Sequence, residues 1–500
     1  MAPISSILLS NGTVLLHDEQ DHVNPVKTDI LIVDNKIANI APSISPPTDA
    51  INIDCTGKIL SPGFIDTHHH LWQTQLKGRH ADDLFLDYMV KGENFEDGSN
   101  WNFVYALFGV EDVFLGQLGG CMEAIDAGTT MVVDHAHMNY SAKHSSSALS
   151  ATVASGIRSY FCYNPVPQPP AASLAPFSFG SNAAEWSTKQ LADLAASQPF
   201  GNGRVRLGLA FDAFYLPKEF VVSLYERARG LGVKLFTSHN LTNVGFGAHS
   251  WVNLLDSYGL LQGDFLLSHM NQATPEEAAK LVAKGVHISS TPETELQVAI
   301  GSPVCFRPDL HKISSLGIDC HTNNSGDILS QMRLALQSAR STYNQQFIEQ
   351  GKVPRAVNAT ALQAFNLGTI MGARAVGMEA EIGSIAVGKL ADIVIFDARS
   401  PSMICGAEHD PVAAIVLHAS VRDIETVIVD GQIRKREGKL VPVVDKNMAE
   451  EPMEWSQIAA KLLHSREKLQ EILKTEDMDS ARKAVIGLFH IDEQNIVDNL

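Results

Sequence analysis

The stretch that decides the fold is Pro62–His70, which reads PGFIDTHHH. Its apolar first half predicts a short buried strand, and the strand ends in three consecutive histidines. Because side chains alternate along a strand, His68 and His70 project from one face and His69 from the other. A His-x-His pair at the end of a strand is typical of metal binding. When the motif is considered by itself, the alternative is a polar turn that happens to hold three histidines.

Seven further short apolar runs follow between residues 60 and 375, separated by helical stretches or long loops. Eight strands, each followed by a helix or a loop, predict a (β/α)8 TIM barrel of the α/β class. One connecting helix is predicted to begin at Pro275, with Thr274 as its N-cap. The eight predicted strands are Gly63–Thr67, Thr129–Asp134, Ile157–Tyr163, Val205–Phe211, Val233–Ser238, Asp264–Ser268, Val286–Ser290 and Ser315–Asp319.

The chain on either side of this region is rich in short β-type runs and turns. Residues 1–60 and 380–445 are predicted to form one small composite β-sandwich domain, and the barrel, residues 61–379, is an insertion within it. Ile415–His418 is one of the predicted strands of this domain.

Two further segments carry predictions of their own. Residues 446–500 are charged and are predicted to form a helical tail, whose first helix covers Trp455–Leu473. The segment Gln168–Gln198 is rich in Ala, Ser and Pro, and it is predicted to be a surface loop over the barrel mouth.

The charge balance of the chain argues against nucleic acid or an anionic membrane as a partner. Its 500 residues carry 38 Lys and Arg against 56 Asp and Glu, a net charge of −18, and such a surface repels phosphate groups. The six cysteines form no CxxC pair, and no apolar run approaches the ~20 residues that span a membrane. The first residues are predicted to form a strand and a turn, not a secretory leader. We therefore expect a cytoplasmic enzyme with a small-molecule substrate.

Other predicted barrel strands also end in residues that can bind a metal. His239, His269 and Asp319 each lie at or directly after such an apolar run. Any one of them alone reads as a capping or core polar residue. Because the strand ends of a barrel meet at one face, these residues and the first histidine pair together predict a catalytic divalent-metal site. His135 and His137 end the second strand at the same face, and we assign them a structural role.

Four stretches are distinctive: Gly57–Gln73 (GKILSPGFIDTHHHLWQ), Ala127–His135 (AGTTMVVDH), Leu316–Asp319 (LGID) and Gly383–Asp397 (GSIAVGKLADIVIFD). They resemble the amidohydrolase superfamily of metal-dependent hydrolases, and the resemblance covers nearly the whole chain. It is strongest to the branch that holds methylthioadenosine/S-adenosylhomocysteine deaminase, guanine deaminase and the triazine hydrolases. The resemblance implies a TIM barrel with a β-sandwich and a hydrolytic activity.

The resemblance also implies a ligand set and a metal. Members with two metals bridge them with a carboxylated Lys or a Glu at the end of strand four, where this chain has Asp212. We therefore expect one divalent ion, Zn²⁺ by default and Fe²⁺ as the alternative. The implied ligands are His68, His70, His239 and Asp319.

Two of these positions carry implied catalytic roles. A bound divalent ion makes hydroxide available at neutral pH. Asp319 would take the proton of the water and pass it to the leaving group, and His269 would polarise the substrate.

One position departs from the family pattern. Aromatic deaminases of this family carry a Glu three residues after the histidine of strand five, where it protonates a ring nitrogen. Thr242 stands there in this chain, and a threonine is no general acid near neutral pH. Glu293, which follows strand seven together with Glu295, is the predicted substitute, with a solvated helix start as the alternative.

Four residues near the predicted strand ends are predicted substrate contacts: Trp72, Gln73, Glu293 and His321. Core packing is the alternative for Trp72. Loop polarity explains His321 equally well.

The leading functional prediction is a metal-dependent amidohydrolase that hydrolyses a non-peptide C–N bond of a small cyclic molecule. One alternative is a hydrolytic deaminase of a purine-, pterin- or triazine-like ring, and another is a carbon–halogen hydrolase. A non-catalytic relative would have lost ligands, and every ligand position here is filled. The resemblance also suggests a homodimer.

Overall fold

The computed structural model describes residues 6–85, 88, 107–165, 185–214, 216–241, 250–445, 451–474, 486 and 494. These residues form an eight-stranded parallel sheet and a nine-stranded mixed sheet. The predicted fold class, a TIM barrel with a small β-sandwich domain from the two flanks, is confirmed. None of the helices in the described part of the chain is long and apolar enough to cross a membrane.

The elements are numbered in chain order over the described residues. The strands are β1 (Ser6–His17), β2 (Val23–Val33), β3 (Lys36–Ala41), β4 (Ile51–Asp54), β5 (Lys58–Pro62), β6 (Phe64–His69), β7 (Thr129–Ala136), β8 (Arg158–Tyr163), β9 (Val205–Ala210), β10 (Phe236–Asn240), β11 (Phe265–His269), β12 (His287–Ser290), β13 (Ser314–Leu316), β14 (Ile393–Asp397), β15 (Ile424–Val429), β16 (Gln432–Arg436) and β17 (Lys439–Leu440). The helices are α1 (Val110–Asp126), α2 (Ala142–Ser155), α3 (Glu185–Ser197), α4 (Lys218–Gly230), α5 (Trp251–Ser257), α6 (Pro275–Lys284), α7 (Pro292–Gln297), α8 (Ile328–Ile348), α9 (Ala361–Leu367), α10 (Ile370–Ala375), α11 (Gly406–His409), α12 (Pro411–Leu417) and α13 (Trp455–Leu473).

Strands β6 to β13 form the barrel, and each pairs in parallel with the next in the chain. The barrel closes where the ends of β6 and β13 meet. There the Asp319 amide donates to the His68 carbonyl at 2.7 Å, and the His70 amide donates to the Asp319 carbonyl at 2.8 Å. Closure therefore takes place at residues that the sequence predicts as metal ligands.

The last barrel strand is shorter than predicted. It ends at Leu316, not at Asp319, because the chain turns inward there to reach β6. Gly317 permits this approach, since a Cβ at this position would lie 2.7 Å from Ser289 Oγ and 2.8 Å from the His68 carbonyl oxygen. Inside the barrel, Thr67 Oγ1 lies 2.8 Å from Ser315 Oγ and ties the two strands together.

The nine-stranded sheet joins the two ends of the chain. Its strands run in the order β17-β16-β15-β14-β5-β1-β2-β3, and β4 pairs with β1. N-terminal β5 and C-terminal β14 are antiparallel neighbours, as expected for one composite domain, whereas the boundaries at residues 60, 380 and 445 stay predictions.

Two local predictions were wrong or incomplete. Ile415–His418, predicted as a strand, lies largely in helix α12. Asp410 begins that helix by accepting hydrogen bonds from the Val412 and Ala413 amides, and Pro411 is favoured in the first turn. The predicted surface loop Gln168–Gln198 contains helix α3 in its second half; residues 166–184 lie outside the described residues.

The predicted tail helix is present as α13 and packs against the segment that follows the first histidine pair. Residues Leu71–Leu76 form a 3-10 helix directly after His70. Gln75 Nε2 donates to Ser465 Oγ at 3.0 Å, and Ser465 Oγ donates to Asp112 Oδ1 of α1 at 2.8 Å. Helix α13 thereby fixes the 3-10 helix against α1.

A buried ion network connects the barrel to the mixed sheet. The Arg158 guanidinium, at the start of β8, forms two hydrogen bonds with Asp392 at 2.8 and 3.0 Å and one with Asp430 at 2.9 Å. The side chains of Arg158 and Asp392 are 3% and 2% exposed. Buried charges of this kind are stable only while they are paired.

Replacing Arg158 by Gln is expected to lower the free energy of unfolding by about 3–5 kcal/mol, because it leaves two carboxylates without their cation. Chemical denaturation followed by circular dichroism measures the change. The control is Lys189→Gln, which removes an exposed ion pair with Asp193 and should change stability by less than about 1 kcal/mol. Equal effects of the two substitutions would show that the buried network does not hold the domains together.

Candidate metal centre

Four predicted ligands come together at the carboxyl ends of the barrel strands. One ligand atom from each of His68, His70, His239 and Asp319 lies within 4.8 Å of the others. His68 Nε2 and His70 Nε2 lie 3.3 and 3.4 Å from Asp319 Oδ1. His239 Nε2 lies 3.3 Å from His70 Nε2. The group comes from strands one, five and eight of the barrel, so the fold itself assembles it.

The ring of His68 shows that this group fits a cation. Both of its nitrogens are buried, and neither makes a hydrogen bond of good geometry among the described residues, although Nε2 lies 3.3 Å from Asp319 Oδ1. Such burial costs free energy unless a ligand satisfies one of the nitrogens. Burial also lowers the pKa of His68 well below its usual value, so the ring is neutral, as metal binding requires. Three imidazoles and one carboxylate form a donor set that suits Zn²⁺.

Asp319 occupies an unusual backbone conformation. Its φ is +69°, which costs of order 1–3 kcal/mol for a residue with a side chain, and the two hydrogen bonds that close the barrel hold it there. Burial raises the pKa of Asp319, but the His68 and His70 rings outweigh this effect and keep the pKa well below its usual value. The carboxylate is therefore ionised at neutral pH.

His269 lies beside the ligand group at the end of β11. Its ring centroid is 5.6 Å from that of His68 and 5.7 Å from that of His239. Its Nδ1 lies 3.0 Å from Thr291 Oγ1. Its φ of +75° places a second strained backbone position at the site.

Glu295, on α7, lies next to the Nδ1 side of the His269 ring. Its side chain is fully buried, and its Oε1 lies 3.7 Å from His269 Nδ1. The same oxygen accepts a hydrogen bond from the Thr291 amide at 2.8 Å. Thr291 thus connects the two side chains.

Asp212, directly after β9, orients a predicted ligand. It accepts hydrogen bonds from the His239 amide at 2.8 Å and from Ser238 Oγ at 3.0 Å, and its Oδ2 lies 3.0 Å from His239 Nδ1. His135 Nε2 lies 3.0 Å from the same oxygen. This contact fixes the His239 ring so that Nε2 faces the ligand group.

Asp212, His135 and His239 also form a second group of atoms close enough to hold a cation. Partial burial raises the pKa of Asp212, but His239 and His135 lower it to well below its usual value. The ionised carboxylate is therefore already occupied by two imidazoles.

His321 belongs to a network on the opposite side of the first strand from the ligand group. His69 Nδ1 lies 2.7 Å from Asp66 Oδ2, and His69 Nε2 lies 3.3 Å from His321 Nδ1. His321 Nδ1 also lies 3.0 Å from Glu123 Oε2. Because the His321 side chain is fully buried here, a substrate contact would require this network to open.

The other predicted substrate contacts have defined surroundings. Trp72 is 1% exposed, and its ring packs edge-on against Phe108 and His137 at 5.3 and 5.5 Å, as in the core-packing alternative. Gln73 is also buried and donates to Tyr88 Oη at 3.4 Å. A direct contact of either residue with substrate stays a prediction.

Glu293 ties together the loops after strands seven and eight. Its Oε2 accepts hydrogen bonds from Ser325 Oγ at 2.9 Å and from Gln331 Nε2 at 2.7 Å. Burial raises the pKa of Glu293 above its usual value. The Glu293 carboxylate is therefore half-buried and hydrogen-bonded, in contrast to the solvated side chain that the alternative prediction expects. Thr242 lies outside the described residues.

Two contributors to the site, Asp212 and Glu295, were not assigned their roles from the sequence. His135 was assigned a structural role, but its contact with Asp212 was not predicted. Asp212 and His135 do follow the pattern of polar residues at strand ends, which is the signal that could have found them. Glu295 lies inside a short helix, and only the fold shows that it faces His269.

Comparison with known proteins gives matches along most of the chain. The Amidohydrolase family matches residues 59–434. A 5'-deoxyadenosine deaminase of Methanothermobacter thermautotrophicus is 28% identical over 438 residues, which cover 84% of this chain and 92% of that protein. A 5-methylthioadenosine/S-adenosylhomocysteine deaminase of Moorella thermoacetica is 27% identical over 455 residues, which cover 88% of this chain and 93% of that protein.

Solved structures give the same architecture. An adenosine deaminase from Xanthomonas campestris with bound zinc superimposes with a TM-score of 0.75 at 21% sequence identity, over 93% of this chain and 99% of that one. At this identity the likeness concerns the fold.

Replacing Asp212 by Asn is expected to weaken divalent-ion binding about 10- to 100-fold, because the His239 ring loses the carboxylate that orients it. Competition with a chromophoric chelator measures the affinity. Asp256→Asn is the control, since that carboxylate pairs with Lys280 and touches no ligand histidine. Unchanged affinity in Asp212→Asn would show that His239 does not depend on this contact.

Proposed function

Because the chain belongs to the amidohydrolase family and is a hydrolase of carbon–nitrogen bonds other than peptide bonds, we propose that it releases ammonia or an amine from a small cyclic substrate. The observation that carries this proposal is the ligand group His68, His70, His239 and Asp319 at the mouth of the barrel. This group combines a donor set for one cation with a carboxylate that can move a proton.

The proposed cofactor is one divalent ion, with Zn²⁺ as the first choice and Fe²⁺ as the alternative. When bound, the ion lowers the pKa of a coordinated water toward neutrality. A single ion is favoured because strand four ends in Asp212 instead of Lys or Glu, and because Asp212 already contacts two imidazoles. The zinc bound to the adenosine deaminase structure is consistent with the first choice.

Elemental analysis of protein purified without chelator is expected to give one divalent ion per chain, because only one three-histidine, one-carboxylate group is present among the described residues. The His68→Ala variant, purified in parallel, is the control and should hold less than half as much. Two tightly held ions per chain would contradict the single-ion proposal.

Two residues of the chain would handle protons and charge. Asp319, which is ionised, accepts the proton of the attacking water and returns it to the leaving nitrogen. His269 is fixed through Nδ1 by Thr291, which leaves its Nε2 to bind the substrate atom where charge develops. Both residues are buried and held by the barrel, so they are pre-oriented for this work.

The substrate class follows from the relatives and from the position of Thr242. The named relatives deaminate 5'-deoxyadenosine or methylthioadenosine and S-adenosylhomocysteine, which favours an amino-substituted ring. Thr242 cannot protonate a ring nitrogen. We therefore propose a ring whose carbon is already activated, so that Asp319 and His269 suffice. In a ring that needs protonation, Glu293 would supply the proton.

The decisive experiment is an assay of ammonia and amine release by the metal-loaded protein. The panel contains 5'-deoxyadenosine, 5'-methylthioadenosine, guanine, a pterin, an aminotriazine and a chlorotriazine. Release from at least one amino-substituted ring supports the proposal. Chloride release without amine release would instead establish the carbon–halogen alternative.

Replacing Asp319 by Asn should abolish turnover, a loss of at least about 10²- to 10⁴-fold in kcat, because the amide cannot accept the proton of water. Circular dichroism should show that the fold is retained. The control is Asp309→Asn, whose exposed carboxylate pairs with Arg307 and should not affect kcat. Near-normal turnover in Asp319→Asn would remove this residue from the mechanism.

Replacing Glu293 by Gln should raise KM more than it lowers kcat, because Gln can still accept from Ser325 and the activated ring needs no acid from this position. Glu276→Gln is the matched control on the exposed start of α6. A drop in kcat of about 10²-fold or more would assign Glu293 as a general acid. In that case, ring deamination with a protonated ring nitrogen would be the better description.

A further inference from the structure

A cavity lies at the opposite end of the barrel from the proposed metal ligands. It has a volume of about 430 Å³ and is bordered by the ends of α1 and α2, by Arg204 before β9, by Arg434 of β16 and by residues 441–445. It therefore lies where the barrel meets the mixed sheet, and junctions between domains are common ligand sites.

Two guanidinium groups in this cavity each have a nitrogen without a hydrogen-bond partner. The Nε atoms of Arg204 and Arg434 are buried, and neither has a hydrogen-bond partner among the described residues. The nearest carboxylate to Arg204 is Asp430, whose Oδ2 lies 4.0 Å from Nη1, beyond hydrogen-bonding distance. Buried donors without partners cost free energy, which a bound acceptor would recover.

The carboxylates nearby are already occupied. Asp430 Oδ1 accepts hydrogen bonds from Arg158 at 2.9 Å and from Asn35 at 3.1 Å, and Asp392 accepts two hydrogen bonds from Arg158. Both carboxylates are thus bound to Arg158, and neither makes a hydrogen bond with Arg204 or Arg434. Burial and the neighbouring Arg204 accordingly lower the pKa of Arg434 to about 10.

The backbone makes room for the Arg434 side chain. Gly156 has a φ of +81°, and a Cβ at this position would lie 2.3 Å from the Arg434 Cζ. Only glycine allows the guanidinium to lie against the end of α2. The wall also includes the apolar side chains of Met122, Val153 and Val443.

We propose that this cavity binds a small organic anion, whose carboxylate pairs with Arg204 and Arg434 and whose apolar body lies against Met122, Val153 and Val443. Planar guanidinium groups match the geometry of a carboxylate. The volume exceeds the needs of a bare inorganic ion, and the site is separate from the metal ligands at the other end of the barrel.

Asp445 also borders the cavity and is the rival occupant. If its own carboxylate satisfied the two arginines, added anions would bind only after its removal. The variant Asp445→Asn separates these cases.

The test is isothermal titration calorimetry of the full chain with hexanoate, inorganic phosphate and neutral hexanamide. The proposal expects one hexanoate site per chain, at least tenfold tighter than phosphate, and no binding of hexanamide. Asp319→Asn should bind hexanoate equally well, which excludes coordination at the metal ligands. Absence of hexanoate binding, phosphate binding without hexanoate binding, or hexanoate binding only in Asp445→Asn would each overturn the proposal.

Arg434→Met provides the matched variant. It should lose hexanoate binding at least tenfold and should keep or raise Tm in anion-free buffer, because it removes a buried positive charge that faces Arg204. Arg399→Met, at an arginine outside the cavity, should retain hexanoate binding. Unchanged hexanoate binding in Arg434→Met, or a Tm several degrees below wild type in anion-free buffer, would overturn the proposal by showing that Arg434 has another role.

Discussion

The pair of backbone hydrogen bonds that closes the barrel is the constraint on which the candidate site depends. They join Asp319 to His68 and His70, so the contact that completes the sheet also brings two imidazoles and a carboxylate together. The geometry of the ligand group is therefore set by main-chain pairing and not by flexible loops. Gly317 is part of this arrangement, because any side chain there would keep β13 away from β6.

Two strained backbone positions lie at the same place. Asp319 and His269 both adopt positive φ values, a conformation that residues with side chains seldom occupy. The surrounding barrel supplies the hydrogen bonds and packing that make these conformations tolerable. Buried neighbours such as Thr291 and Glu295 then fix the His269 ring, so the side chains proposed to handle charge are held before any substrate arrives.

Much of the fold could be predicted from the sequence because its signals are local. Short apolar runs, separated by helical stretches or loops, indicated the barrel strands. Thr274, the predicted N-cap of α6, forms reciprocal hydrogen bonds with Glu277 at the start of that helix. The proposed ligands His239 and Asp319 could be found because each lies at or directly after an apolar run. Ile415–His418 was misread because its short apolar run resembles a strand, whereas Asp410 and Pro411 start a helix just before it.

The contacts of the site were harder to predict because they join distant parts of the chain. The place of Asp212 at a strand end marks it as a site residue, but the sequence does not show that it orients His239. Nothing near His321 shows that it turns toward His69 and Glu123. Such contacts depend on where the barrel places each strand end. The replacement of the family's Glu by Thr242 could be seen directly in the sequence. Its effect on catalysis depends on which other carboxylate lies near the substrate.

Helix α13 has a consequence for how the protein is made. The 3-10 helix after His70 is held by Ser465 of α13, and β5, which pairs with β1 on one side, gains its second neighbour only in β14. During synthesis the first histidine pair therefore leaves the ribosome long before Asp319, its sheet partner or its supporting helix exists. The ligand group is therefore completed late in synthesis. Until then the nascent chain holds an incomplete barrel whose apolar strands are exposed, and this is a state that chaperones bind.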